Sequence, residues 1–220
     1  MSTAPDTLQI DIVSDVVCPW CYIGKRRLEA ALASPEAADL PPVHITWHPF
    51  QLNPDLPAEG IDRKAYLEEK FGGPERAATI YERVRAAGRT AGLELNIDGI
   101  TRQPNTRLAH ALIDFAQRSG DHATDVKERL LRAYFIENRF VGDAEVLAAI
   151  AAEAGLDTAA ARAHLADPAA LAVIDQADQQ ARQMGVSGVP FFIFNRKLAV
   201  SGAQEPATLI GAMRQALAQA

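Results

Sequence analysis

Two cysteines, Cys18 and Cys21, are the only ones in this chain of 220 residues, and two residues separate them. They lie where an apolar, strand-like run ending at Val13 gives way to a helical pattern that begins at Pro19. The dipole of a helix favours a thiolate at the helix N-terminus, and the thiolate is the form that attacks disulfides. A second thiol one turn further along can close a disulfide with the first. The pair therefore predicts either thiol–disulfide exchange or one half of a metal site.

The metal alternative needs two more ligands, and His44 and His48 have a spacing that deserves a test. On a helix this spacing would bring both rings to one ion, whereas on a strand it separates the residues by about 13 Å. Residues 43–48 alternate apolar and polar types and are rich in β-branched side chains, which is typical of a strand. The other histidines, which form no such pair, are His110, His122 and His164. We therefore favour redox chemistry and expect no metal.

The N-terminal part of the chain predicts a strand, a helix and a second strand. Residues 8–13 form the first strand, residues 19 to about 33 the helix, and residues 43–48 the second strand. This spacing suits a βαβ unit with parallel strands.

The C-terminal part returns to β character after Val189-Pro190. Residues 190–194 and 197–201 predict a hairpin around a two-residue turn, and an amphipathic helix follows from about Glu205. Neither end of the chain has enough strands for a stable sheet of its own, so we expect both to share one sheet. The predicted sheet domain comprises residues 1–60 and 183–220.

The residues between these parts, 61–182, have an almost wholly helical pattern and predict an inserted domain of six or seven helices. Glycine and proline mark the breaks between the helices. Asp143, Asp157 and Asp167 stand where N-caps are expected, and Pro74 and Pro168 suit first-turn positions.

Composition excludes several classes of function. A formal net charge of −6 argues against general nucleic-acid binding, which needs a clustered basic face. No apolar run approaches the roughly 18 residues of a membrane span. The segment Met1–Asp6 has neither the basic nor the apolar part of a secretory signal, so we expect a cytoplasmic protein. In that compartment a closely spaced cysteine pair is more often catalytic or metal-binding than structural.

Four segments together resemble the DsbA family of oxidoreductases, and most closely its FrnE-like branch. They are residues 14–25 around the cysteine pair, residues 49–54 (Pro-Phe-Gln-Leu-Asn-Pro), residues 70–73 (Lys-Phe-Gly-Gly) and residues 185–192 around Val189-Pro190. The resemblance implies an α/β thioredoxin fold with a large all-helical insertion domain. It also implies a cis Val189–Pro190 bond, although an ordinary trans bond at a strand edge is the commoner state.

The resemblance implies thiol–disulfide exchange without a metal or organic cofactor. Cys18, nearer the helix N-terminus, is the expected nucleophile and the more exposed thiol, and Cys21 resolves the mixed disulfide. Pro19 and Trp20 tune the pair, while Val189 and Pro190 face it. The Val189 backbone could then pair with an extended peptide or with glutathione.

The expected partners are thiol- or disulfide-bearing proteins and peptides, with glutathione as a co-substrate or a thioredoxin-type reductant as further candidates. A homodimer is left open. Backbone amides of Gly202, Ala203 and Gln204 could hold a carboxylate, or could simply start the last helix. Asn105 either caps its helix or points into the cleft.

Two alternatives stay open. The superfamily includes glutathione-dependent 2-hydroxychromene-2-carboxylate isomerases and kappa-class transferases, which usually carry serine at the nucleophile position and lack the second cysteine. A chaperone or interaction module would need neither cysteine.

Other residues have plain structural interpretations. We expect Trp47 in the core, Trp20 exposed, His48 structural and His110 facing solvent. Lys25, Arg26 and Arg27 predict a solvated helix face.

Overall fold

Both ends of the chain contribute strands to one four-stranded sheet in the computed structural model, which describes residues 7–219. The segment Met1–Asp6, on which the absence of a signal was argued, lies outside the described residues. The strands are β1 (Leu8–Ser14), β2 (Val43–Pro49), β5 (Phe191–Phe194) and β6 (Leu198–Ser201). Their order in the sheet is β2-β1-β5-β6. The shared sheet is thus confirmed.

The pairing also agrees with the predicted βαβ unit. Strands β1 and β2 are parallel, with Leu8 opposite Val43, and α1 (Pro19–Leu32) connects them. Strand β5 is antiparallel to β1 and to β6. The predicted hairpin is present, but its connection is one residue longer than expected: Phe194 pairs with Leu198, so residues 195–197 form the turn and Lys197 is not part of the second strand. Asn195 and Arg196 both have positive φ, which tight hairpin turns often require.

Helices surround the sheet. The C-terminal helix α9 (Pro206–Ala218) contacts α1 as well as β5 and β6. Three helices of the central region contact β2, namely α4 (Arg107–Arg118), α5 (Ala123–Phe135) and α8 (Pro168–Gln183). The largest apolar cluster joins buried side chains of the sheet to those of the central helices, and two smaller clusters lie around Val13 and around Tyr81.

The central region contains seven α-helices within the described residues. Besides α4, α5 and α8 these are α2 (Arg63–Phe71), α3 (Pro74–Thr90), α6 (Ala144–Glu153) and α7 (Thr158–Ala166). Asp143, Asp157 and Asp167 accept bonds from backbone amides at the starts of α6, α7 and α8, so the predicted N-caps are confirmed. Pro74 and Pro168 occupy first-turn positions, as expected.

The expectation of an entirely helical insertion was wrong in one respect. Strands β3 (Ile61–Asp62) and β4 (Arg102–Gln103) form a second, two-stranded antiparallel sheet within the central region. Strands of two residues are too short to show the alternation by which strands are recognised in a sequence. Their pairing joins the start of α2 to the segment before α4.

Two negative findings apply to residues 7–219. No helix there combines the length and the apolar composition that a bilayer span requires. No group of three or more His, Cys, Asp or Glu side chains is arranged there to hold a metal ion.

Candidate active site

The cysteine pair lies at the junction of β1 and α1. Cys18 is the N-cap residue of α1, and Pro19 follows at the first helical position, where its missing N–H costs no helix bond. The amides of Cys21 and Tyr22 donate to the Cys18 carbonyl. Both cysteines are free thiols and both are buried, with 5% of Cys18 and 2% of Cys21 exposed. Cys18 is therefore the more exposed thiol only by a narrow margin.

The two thiols have opposite pKa shifts. A hydrogen bond from the Cys21 thiol lowers the pKa of Cys18, although burial and the charge of Asp15 oppose this effect. Burial raises the pKa of Cys21 well above its ordinary value, and the neighbouring Cys18 thiolate raises it further. Cys18 is thus the member of the pair that ionises first, which suits a nucleophile.

The Val189–Pro190 segment lies directly opposite the nucleophile. The peptide bond is cis, and the Cys18 thiol lies 3.6 Å from the Val189 carbonyl oxygen. Pro190 is buried against α1, since a Cβ atom placed on Gly24 would come within 2.8 Å of the Pro190 Cγ atom. Residues 171 positions apart in the chain therefore form the two sides of the candidate site.

Asp15, a buried carboxylate that the sequence analysis did not identify, contacts the cysteine pair. Asp15 is fully buried, its own amide donates to the Cys21 sulfur at 3.4 Å, and its carboxylate accepts from the amides of Val16 and Leu52. Burial acts to raise the pKa of Asp15, but His110, the Leu52 amide and the charge of Lys127 outweigh it and hold that pKa below its usual value. Asp15 thereby connects the cysteine loop to the segment after β2.

The prediction that His110 faces solvent was wrong. His110 is 3% exposed, and its Nε2 atom lies 3.2 Å from an Asp15 carboxylate oxygen. Its position opposite Leu108 suggested an outer face, but α4 is buried on both sides near its start because it packs between the sheet and other helices. The carboxylate of Asp15 gives the buried His110 ring the hydrogen-bond partner that a buried polar group needs.

Lys127 of α5 is a second residue that sequence reasoning missed. Its side chain is fully buried, its Nζ atom has no hydrogen-bond partner among the described residues, and it lies 5.4 Å from the centre of the Trp47 ring. Burial lowers the pKa of Lys127 to about 8, although the charges of Cys21 and Asp15 act to raise it. Its helical spacing from the apolar Ala123 and Leu130 was the available signal, since it places a lysine on the core face.

A small cavity of about 120 Å³ adjoins Lys127. The hydroxyl of Ser14, which has no hydrogen-bond partner in the part of the chain that the structure describes, borders the same cavity, together with Trp47 and His48. Trp47 is buried, as predicted, and His48 contacts Asp11 rather than the cysteines.

On the solvent side, a cleft of about 290 Å³ opens at Cys18. Pro19, Trp20 and Val189 line it, as expected from the sequence, and it continues between α2 and α3. Trp20 is 39% exposed, which agrees with its predicted exposure.

Asn105 does not line this cleft. Its side chain donates to the carbonyl oxygens of Pro54 and Leu56 and accepts from the amide of Arg107. Asn105 therefore links the loop after β2 to the start of α4. Of its two expected roles, this contact with the helix start applies, and a position in the cleft does not.

The expected amide site at residues 202–204 is largely occupied by internal bonds. The Gly202 amide donates to the Pro190 carbonyl oxygen, and the Gln204 amide donates to the Gly202 carbonyl oxygen. The Ala203 carbonyl oxygen accepts from Arg27. These residues position Pro190 and α1, and two of their three amides are not free to hold a carboxylate.

The predicted solvated face at residues 25–27 was also wrong. Lys25 is only 4% exposed and pairs with Glu29 and Glu128, and Arg26 pairs with the same two carboxylates. Glu29 lies on α1 itself, but Glu128 lies on α5, distant in sequence, so the contacts with Glu128 could not be read from α1 alone.

Comparison with known proteins supports a redox assignment of this geometry. A probable DsbA oxidoreductase from Streptomyces coelicolor has 33% identity and a TM-score of 0.84, over 97% of this chain and 91% of its own. The uncharacterised Bacillus subtilis protein YwbO is 28% identical over 85% of this chain and 86% of its own length.

A more distant structure shares the fold alone. The cytosolic disulfide reductase DsbM from Pseudomonas aeruginosa, also solved with GSH, has 17% identity and a TM-score of 0.64, over 96% of each chain.

The model of the DSBA-like thioredoxin domain matches residues 9–214, which include both cysteines and Pro190. This match confirms the expected fold class, a thioredoxin fold with a helical insertion. The chain belongs to the family of DsbA-like thioredoxin-domain oxidoreductases.

Proposed function

We propose that this protein catalyses thiol–disulfide exchange through Cys18 and Cys21. The observation that carries the proposal is the contrast between the two thiols: Cys18 has a lowered pKa and borders the cleft, whereas Cys21 has a raised pKa and lies behind it. Cys18 is therefore the thiol that ionises and attacks a substrate, whereas Cys21 stays protonated until the second step.

The reaction proceeds in two displacements. The Cys18 thiolate attacks one sulfur of a substrate disulfide, the substrate S–S bond breaks, and the first substrate thiolate leaves and takes up a proton. Cys21 then loses its proton and attacks the Cys18 sulfur, which releases the second substrate thiol. Two electrons pass from the dithiol to the substrate, and the protein ends with a Cys18–Cys21 disulfide. The reverse sequence oxidises a substrate dithiol.

The substrate side of the proposal rests on the cleft. An extended peptide or a small disulfide placed at Cys18 would lie beside the exposed Trp20 and the Val189 backbone. Glutathione as a co-substrate is supported by the DsbM structure solved with GSH. We propose a cytoplasmic protein that needs no metal or organic cofactor and is reduced by glutathione or a thioredoxin-type protein.

Insulin reduction by the wild type, Cys18→Ser and Cys21→Ser tests the proposal. We expect Cys18→Ser to lose all exchange activity and Cys21→Ser to accumulate a mixed disulfide, visible as added mass under non-reducing conditions. Since the chain has two cysteines, that adduct can form only at Cys18. Full activity of Cys18→Ser would contradict the assignment of the nucleophile.

Two further assays separate the alternatives. Chromene isomerisation without thiol exchange would favour the glutathione-dependent isomerase. Suppression of aggregation that survives in the Cys18→Ser/Cys21→Ser double variant, with no exchange in the wild type, would favour the chaperone.

A further inference from the structure

The cleft at Cys18 has an unbalanced charge. Its lining includes two cationic side chains, Arg63 and Lys70, and no aspartate or glutamate from the described residues. The chain as a whole is acidic, with 28 Asp and Glu against 22 Lys and Arg. Most of the other arginines among residues 7–219 form ion pairs with carboxylates of the chain, so a purely cationic lining beside the nucleophile needs an explanation.

Lys70 lies in the last turn of α2 and has spare hydrogen-bonding capacity. Its ammonium donates to the Tyr66 hydroxyl at 2.6 Å, and that hydroxyl donates to the Asn53 side chain at 2.6 Å. Within residues 7–219 no carboxylate pairs with Lys70. An ammonium has three N–H donors, so two of them are available to a ligand in the cleft.

Arg63 is a buried guanidinium whose partners are all neutral. It is 2% exposed, and it donates to the Gln103 side chain and to the hydroxyls of Tyr134 and Tyr81. Its Nε atom has no partner among the described residues. Since guanidinium is always charged in proteins, a full positive charge lies behind the cleft wall without a carboxylate from this part of the chain.

Tyr81 connects the Arg63 guanidinium to the cleft. Its oxygen accepts from Arg63 at 3.1 Å, so its own hydrogen points away from the guanidinium. That hydrogen has no acceptor among residues 7–219, and Tyr81 lines the cleft that also contains Cys18. Tyr81 therefore has a free hydroxyl donor, polarised by Arg63, in a side chain that lines the cleft.

On the basis of the proposed thiol–disulfide exchange, we propose that this cleft binds a low-molecular-weight disulfide or thiol that carries a carboxylate. Lys70 and Tyr81 donate to the carboxylate, and Arg63 supplies the buried charge behind Tyr81. The apolar stem of the substrate packs on Leu67, Phe71 and Val84, and its sulfur meets Cys18. A volume of about 290 Å³ is at the lower limit of small-molecule sites, which favours a small substrate over a protein segment.

The test compares disulfides that differ in charge. The reduced protein is assayed with dithiodipropionic acid, which is anionic, with hydroxyethyl disulfide, which is neutral, and with cystamine, which is cationic. We expect kcat/KM to fall in that order, by about tenfold from the anionic to the neutral disulfide, as one charge-assisted hydrogen bond predicts. Added salt should reduce this preference.

Variants then assign the preference to residues. Lys70→Met should lower kcat/KM for dithiodipropionic acid about tenfold more than kcat/KM for hydroxyethyl disulfide, and Tyr81→Phe should act in the same direction. Lys64→Met is the matched control, because Lys64 lies on the same helix but outside the cleft lining, and it should change none of these rates.

Three outcomes would overturn the proposal: equal rates of the wild type with all three disulfides, an equal loss for every substrate in Lys70→Met, or the same effect in Lys64→Met. If the wild type reduces no disulfide at all, the exchange function itself has failed. Calorimetric titration of dithiodipropionic acid into the Cys18→Ser/Cys21→Ser double variant then decides the anionic site separately. If the double variant binds dithiodipropionic acid and the added substitution Lys70→Met abolishes that binding, the anionic site is supported. If the double variant does not bind it, the anionic site is overturned.

Discussion

Cys18 and Cys21 are one helical turn apart but have different surroundings. Cys18 borders a cleft and accepts a hydrogen bond from Cys21, whereas Cys21 is enclosed and accepts from the Asp15 amide. The carboxylate of Asp15 raises the pKa of Cys18, so the same residue that organises the loop restrains its nucleophile. At this scale one buried carboxylate both holds the cysteine loop in place and opposes the Cys18 thiolate.

Replacement of Asp15 by asparagine separates these two effects. We expect the pKa of Cys18 to fall, because a negative charge that opposes the thiolate is removed. Stability should fall by about 1–3 kcal/mol, since buried hydrogen bonds to His110 and to the amides are weakened. The ultraviolet absorbance of the thiolate against pH, together with urea unfolding, measures both. Asp11→Asn in β1, the strand that ends just before Asp15, is the control. An unchanged Cys18 pKa in Asp15→Asn would contradict the assignment.

At the scale of elements, the close approach of α1 to Pro190 brings the two sides of the site together. Gly24 allows this approach, because a Cβ atom there would come within 2.8 Å of Pro190 and 3.3 Å of Phe192. The Gly202 amide fixes the carbonyl oxygen of Pro190 from the other side. The distance between Cys18 and Val189 therefore depends on how closely a helix packs on a strand.

Gly24→Ala tests this packing. Alanine favours a helix by about 1 kcal/mol over glycine, but overpacking against Pro190 should outweigh this gain and lower stability by about 1–3 kcal/mol. Exchange with hydroxyethyl disulfide should slow as well, since α1 must move away from Pro190. Gly211→Ala in α9, where nothing lies within 4 Å of the added Cβ, should instead raise stability by up to about 1 kcal/mol. Similar effects of the two substitutions on the urea midpoint would refute the close contact.

At the scale of the whole molecule, the central helices supply polar groups that the sheet alone does not have. His110 of α4 and Lys127 of α5 extend behind the cysteines, and Asp178 of α8 accepts from the Gln51 amide after β2. Burying Lys127 opposes folding, because its charged form loses solvation without gaining a hydrogen-bond partner within residues 7–219. The insertion thus forms part of the site as well as part of the core.

The pH dependence of stability should reveal Lys127. Its pKa is about 8 in the folded protein and near 10.5 when unfolded, so the unfolded chain binds more protons between these values. The free energy of unfolding should therefore rise with pH from about 8 to about 10.5. Below pH 8 the burial of the charged Lys127 lowers the free energy of unfolding by its full amount, about 3 kcal/mol.

Lys127→Met should lack this contribution to the pH dependence and be more stable than the wild type at pH 7 by about 1–3 kcal/mol. Urea unfolding under reducing conditions at several pH values measures this difference. Lys64→Met, which replaces an exposed lysine, should follow the wild type. Parallel curves for Lys127→Met and the wild type would contradict the buried charge.

The amino-acid sequence by itself determined the features that depend on local pattern. The strand–helix junction at Cys18, the helix starts at Asp143, Asp157 and Asp167, and the hairpin after Pro190 follow from residue types at fixed spacing. The family resemblance added two expectations, the thioredoxin fold and the position of Val189 and Pro190 opposite the cysteines.

Only the tertiary structure decided which polar residues meet at the site. His110 and Arg63 lie on helices whose polar residues look like solvated positions in the sequence, and the spacing of Lys127 places it on a core face without showing what surrounds it. The groups that contact or charge these three residues are distant along the chain. The physical reason is that burial depends on neighbouring elements, whereas periodicity reports only one element at a time. For the same reason the cationic lining of the cleft, with Lys70 and Tyr81 beside Cys18, becomes visible only once α2 and α3 are packed against the thioredoxin fold.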